Sequence, residues 1–106
     1  MPRREEADPF AAQIGERIRA LREELGLTQE KLAYEAGLKS KGHLSGIEKG
    51  LVMPTLPTLT LIAARLEVEL LDLMTFPKES DRHRLVDLTR SLKIGTIRRL
   101  VRDASS

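Results

Sequence analysis

The 106-residue chain contains no cysteine and no tryptophan. Without thiols there is no disulfide framework and no thiolate chemistry, which suits a reducing, cytoplasmic compartment. Aromatic residues amount to 3%, so a core must be built from Leu, Ile, Val, Met and Ala. No apolar run approaches the ~20 residues needed to cross a bilayer, and MPRREEADPF has no apolar stretch of the kind a secretory signal carries; no membrane partner is expected. Histidine occurs only at His43 and His83, neither with a metal-ligand companion at helical spacing, and both are expected at the solvent surface. His43 and Ser45, two residues apart, point to different faces of a helix and make no nucleophile–base pair. There is no glycine-rich phosphate loop either, so an enzyme, a metal and a cofactor are all unexpected.

What is present is one domain's worth of chain with room for a short appendage. Net charge is +2, but it is unevenly spread: residues 1–25 carry −1, 26–53 carry +1, 54–79 carry −2 and 80–106 carry +4. A basic end on a near-neutral body suits nucleic acid or an acidic partner.

The patterning is helical throughout, with no β-alternation. Asp8-Pro9 offers an N-cap followed by proline at the first helical position. Phe10, Ile14, Ile18, Leu21 and Leu25 then form one amphipathic stripe, Gln13, Glu16, Arg17, Glu23 and Glu24 take the other face, and Gly26 stops the helix. Thr28 caps a second, short helix carrying Leu32, Ala33 and Ala36 inward and ending at Gly37. Ser40 caps a third helix closed by Gly50, whose only large apolar residues are Leu44 and Ile47, so most of it should be exposed. A fourth helix starts after Thr55 and buries Leu59, Ile62, Ala63 and Leu66; a fifth runs from near Leu70 through Leu73. Phe76-Pro77 breaks the chain. Ser80 or Asp81 then caps a sixth helix with Leu85, Val86, Leu88 and Leu92, and Gly95-Thr96 punctuates before a last turn or two with Ile97, Leu100 and Val101. The expected division is a flexible 1–8, a domain over 9–76 and a basic, amphipathic helical extension over 77–106.

Residues 28–50 hold the informative pattern: a short helix, a tight turn at Gly37, then a mostly polar helix pinned from behind by Leu44 and Ile47, its outer face free to enter a groove. Together with IGERIRALREELGLTQEKLA before it and PTLPTLTLIAARLEVELLDL after it, this stretch resembles the Cro/repressor-type (XRE-like) helix-turn-helix DNA-binding family over about Ile14 to Leu73. The resemblance implies an all-α protein: a five-helix repressor-type domain, here with a short helical C-terminal extension, binding double-stranded DNA as a homodimer on a palindromic site.

It also implies roles. Gln29 matches the family's phosphate-contacting glutamine, against the plainer reading of an exposed polar residue. Arg22 and Glu48 match a pair bridging the first helix to the end of the recognition helix. Lys41, Gly42, Ser45 and Gly46 fall where side chains meet base edges, and helical geometry agrees, since at 100° per residue they lie away from Leu44 and Ile47. Lys49 falls near a phosphate. One extra residue in the turn near Lys39 leaves open which of Lys39, Ser40 and Lys41 reaches a base, with His43 a further candidate. Glu67 stands where the family favours glycine. No arginine is available on the recognition face for bidentate guanine reading, so modest base specificity is expected. Leu85, Leu88, Leu92, Ile97 and Leu100 need a partner surface: their own domain, a second copy, or another protein, as in an antitoxin-like or adaptor role.

Overall fold

Seven helices account for the regular structure of the described residues, 5–106, in the computed structural model, and no strand occurs among them. They are α1 (Pro9–Glu24), α2 (Gln29–Glu35), α3 (Lys41–Glu48), α4 (Leu56–Arg65), α5 (Leu70–Leu73), α6 (Asp81–Thr89) and α7 (Ile94–Ala104). The N-cap side chains of α1, α2, α3, α4 and α6 are Asp8, Thr28, Ser40, Thr55 and Ser80, each accepting a backbone N–H three residues on. Residues 1–4 of the segment expected to be flexible lie outside the described residues; Asp8 donates its own N–H to the Gly50 carbonyl at 3.2 Å.

The first four helices end alike. After α1, α2 and α3 the chain turns through Gly26, Gly37 and Gly50 at φ +71°, +73° and +76°. In each case the next residue donates back across the last turn, as Leu27 does to the Arg22 carbonyl and Leu38 to that of Ala33. After α4 the same back-donation forms, Val68 to Ala63, with Glu67 donating to Ala64, but the left-handed position is Glu67 itself, at φ +59°, the one non-glycine residue with positive φ among those described.

The chain divides into two compact units, Met1–Met74 and Thr75–Ser106. In the first, Ile14, Ile18, Leu32, Leu44, Ile47, Ile62 and Leu73 are fully enclosed, so every one of its helices contributes to one aliphatic core. The stripe expected on α1 is buried only in its middle: Phe10 and Leu25, at its two ends, are exposed. Arg17, expected on the outer face, is instead buried, its Nε donating to the Asp72 carbonyl of α5 at 2.8 Å. A long aliphatic stem lets an arginine cross a core edge and still satisfy its head.

In the second unit, α6 and α7 contain no buried residue. His83 is half-buried rather than exposed: Nδ1 accepts from the Phe76 N–H at 2.9 Å and the ring stacks on Phe76 at 5.8 Å between centroids. Gly95 and Thr96 do not break the chain; they lie in the first turn of α7, which starts at Ile94 and runs eleven residues. Among the described residues no helix is long and apolar enough to cross a membrane.

Candidate nucleic-acid interface

The α2–turn–α3 segment is positioned from behind. Leu44 and Ile47 are completely enclosed, and Glu48 is 8% exposed, so half of α3, with Gly46, is buried, more than its composition suggested. The closest approach is to α1. A Cβ built on Gly15 would stand 2.3 Å from the Ile47 carbonyl oxygen and 2.5 Å from that of Glu48. Only a glycine lets α1 lie so close against the end of α3. Nothing in the periodicity of α1 marks Gly15; the one available signal was a glycine inside an otherwise strong helix, which usually has a packing reason.

A polar network fastens the same end. Arg22 Nε donates to Glu48 Oε2 at 2.8 Å and Arg22 Nη2 to Oε1 at 3.1 Å, while Nη1 donates to the Leu27 carbonyl at 2.7 Å. Gln29 Nε2 donates to Glu48 Oε1 at 2.9 Å. One carboxylate therefore ties α1, the first residue of α2 and the last turn of α3 together. The hydrogen bonds that Arg22 donates to Glu48, aided by the carboxylate's charge, hold the pKa of the Arg22 guanidinium above its ordinary value against the opposing effect of burial. That Glu48 also orients Gln29 was not legible from the sequence.

In front of this network lies a surface cleft of about 630 Å³, lined by Arg19, Arg22, Thr28, Gln29, Glu30, Lys41, Ser45 and Lys49. It brings Gln29, Lys41, Ser45 and Lys49 to one concavity and adds Arg19, which carries no sequence motif. Lys39, Ser40, Lys41, Gly42 and Lys49 are exposed, and Ser45 is half-buried. Gly42 is open, the nearest atom to a built Cβ being Ser40 Oγ at 3.7 Å.

Two of the expected contact positions are differently placed. Gly46 is buried: its carbonyl accepts from Leu51 at 2.9 Å and Val52 at 3.3 Å, so the chain leaving α3 folds back over it, and it has no side chain to project past. His43 is half-buried, with Nδ1 enclosed and without a hydrogen-bond partner among the described residues. Being four residues before Ile47, it shares the Ile47 side of α3, whereas Lys41 shares the side of Ser45. In the second unit Leu85, Leu88 and Leu100 are well exposed, Leu92 is at 36%, and Ile97 is half-buried. Among the described residues no group of His, Asp or Glu side chains is arranged to hold a metal.

The helix-turn-helix family model HTH_3 matches residues 18–73, just over half of the chain. The immunity repressor protein of Bacillus phage phi105 is 41% identical over 56 residues, which make up 53% of this chain and 38% of that repressor; the chain thus spans well under half the length of that relative. Among solved structures, the restriction-modification controller protein C.AhdI from Aeromonas hydrophila is 33% identical over 59% of this chain and 94% of its own, with a TM-score of 0.58. SinR, a master regulator for biofilm formation, in complex with DNA is 37% identical over 57% of this chain and 97% of its own, with a TM-score of 0.55. The SinR/SinI complex is matched over 87% of this chain and 94% of the other, at 30% identity and a TM-score of 0.64.

Proposed function

Since the chain belongs to the helix-turn-helix family HTH_3, we propose that it is a sequence-specific duplex-DNA-binding transcription regulator, a repressor, acting as a homodimer on a palindromic operator. The observation that carries this reading is the cleft itself: an exposed α3 face bearing Lys41 and Ser45, locked from behind through Glu48 and flanked by Gln29 and Lys49. Two copies lay their α3 helices in successive major grooves about 34 Å apart. Lys41, Gly42 and Ser45 face base edges, with Lys39 and Ser40 at the entry to the groove, while Gln29 and Lys49 reach phosphates. Gln29 has a second amide hydrogen left over from its bond to Glu48, and that hydrogen is the phosphate donor. SinR in its DNA complex and the phage immunity repressor support the assignment by likeness. The core over 9–76 does the binding, and occupancy at a promoter blocks polymerase.

The extension over 77–106 is where copies meet. Leu85, Leu88, Leu92 and Leu100 expose apolar surface on helices that bury nothing of their own, with Ile97 beside them. A second reading, in which this face takes another protein as an antitoxin or adaptor does, is favoured by the same leucines and by the likeness to SinR in its complex with SinI.

Selection of binding sites from a random duplex pool, followed by anisotropy titration at two salt concentrations, tests the first reading. A palindromic consensus bound more weakly at higher salt is expected; a pool that never enriches overturns it. Light scattering on the full chain and on a chain ending before Pro77 decides between the two readings of the extension. A dimer that persists without the extension removes it as the dimer face.

A further inference from the structure

The charge of the two units is inverted relative to the task the first is proposed to perform. Residues 1–74 hold ten Lys and Arg against twelve Asp and Glu, net −2, whereas residues 75–106 hold eight against four, net +4. Within the cleft, Arg22 is committed to Glu48, Arg19 lies 3.5 Å from Glu23, and Glu30 adds a negative charge. A net-acidic domain with Lys41 and Lys49 as its uncommitted cleft cations supplies little of the sequence-independent attraction that dominates duplex binding.

The missing cations are on α7. Arg98, Arg99 and Arg102 are all exposed, and at 100° per residue they fall within an arc of about 100°. Ile94, Ile97, Leu100 and Val101 occupy the opposite side. Among the described residues none of the three guanidiniums has an ion-pair or hydrogen-bond partner, whereas Arg90 in the same unit is held by Asp87 at 3.0 Å. An apolar stripe can be covered by a second copy while the arginines stay free on the outer side.

We propose that the Arg98–Arg99–Arg102 face of α7 is a second phosphate-contacting surface that engages the backbone of the same duplex. The inference rests on the DNA-binding reading above. A negatively charged protein surface is the other occupant such a face could take, but the shortage of cations in the reading domain favours DNA.

The test is the salt dependence of the full-length protein on its selected duplex, compared with R98A/R99A/R102A. Alanine favours helix, so α7 is retained, as circular dichroism would verify. Each arginine lost from a phosphate removes about 0.9 from the slope of log K against log salt, so the slope should flatten by about 2–3 for each copy engaged. Base preference should be unchanged, and R98K/R99K/R102K should restore the slope. An unchanged slope overturns the proposal, as does a slope change accompanied by a lower mass in light scattering, which assigns the arginines to a protein contact. If the wild type itself shows no salt-dependent duplex binding, the DNA-binding reading fails together with it.

Discussion

Arg22 and Glu48 are joined by two hydrogen bonds, 2.8 and 3.1 Å, across 26 positions of sequence, with side chains 10% and 2% exposed. The pair decides the angle at which α3 leaves the body, because Glu48 is the last residue of that helix. Removing one partner leaves the other charge enclosed. Arg22→Ala or Glu48→Ala is therefore expected to cost about 3 kcal/mol or more in urea unfolding, whereas Glu48→Gln, which keeps the shape and one acceptor, should cost less. Equal losses for both changes at Glu48 would mean that the carboxylate charge rather than space filling matters there.

Gly15 and Gly42 make opposite predictions for the same substitution. Gly15→Ala drives a methyl group to 2.3 Å from a backbone oxygen, and overpacking against backbone should cost about 3 kcal/mol. Gly42→Ala meets only Ser40 Oγ, in ordinary contact at 3.7 Å, and should stabilise through helix propensity by less than the roughly 1 kcal/mol of a helix interior, since it is the second residue of α3. Thermal denaturation of the two variants side by side reads both signs.

Glu67→Gly should raise stability by about 1 kcal/mol, since a left-handed backbone costs an L-residue roughly 1–2 kcal/mol and glycine almost nothing. The bonds from Glu67 and Val68 to α4 do not involve the side chain, so they survive the change. A melting temperature that falls instead would show that Glu67 makes a compensating interaction.

Lys41→Ala and Gln29→Ala should separate reading from anchoring. Lys41, at the first position of α3, is expected to alter preference at particular base pairs by about 1–3 kcal/mol, while Gln29→Ala weakens all sequences alike. Site selection repeated with each variant distinguishes these outcomes.

The helices were legible because their stops and starts are chemical: Thr28, Ser40, Thr55 and Ser80 cap, and Gly26, Gly37 and Gly50 terminate, as their side chains or lack of one require. Even the anomaly at Glu67 could be anticipated, because the resemblance puts a glycine at that position. Long-range geometry was less accessible. Arg17 reads as a surface charge on a helical wheel, yet its partner is a backbone carbonyl 55 residues away, which no local pattern encodes. Gly46 faces outward by angle but is covered by the returning chain at Leu51 and Val52, a consequence of loop path rather than of helix phase. His43 is half-buried where a surface position is expected, because its neighbour four residues on, Ile47, is fully enclosed. The orientation of Gln29 by Glu48 required knowing where three helices meet.

The close seat of Gly15 against the end of α3, with Leu44, Ile47 and Glu48 behind it, separates two sets of residues on one eight-residue helix. Leu44, Ile47 and Glu48, which hold α3 in place, face the body, whereas Lys41 and Gly42 are exposed on its other side. Codons 41 and 42 can consequently be exchanged in a library with little toll on folding. On the proposed reading of DNA by this face, a lineage built on the scaffold acquires new addresses on a genome through its outer surface, while Gly15 stays fixed.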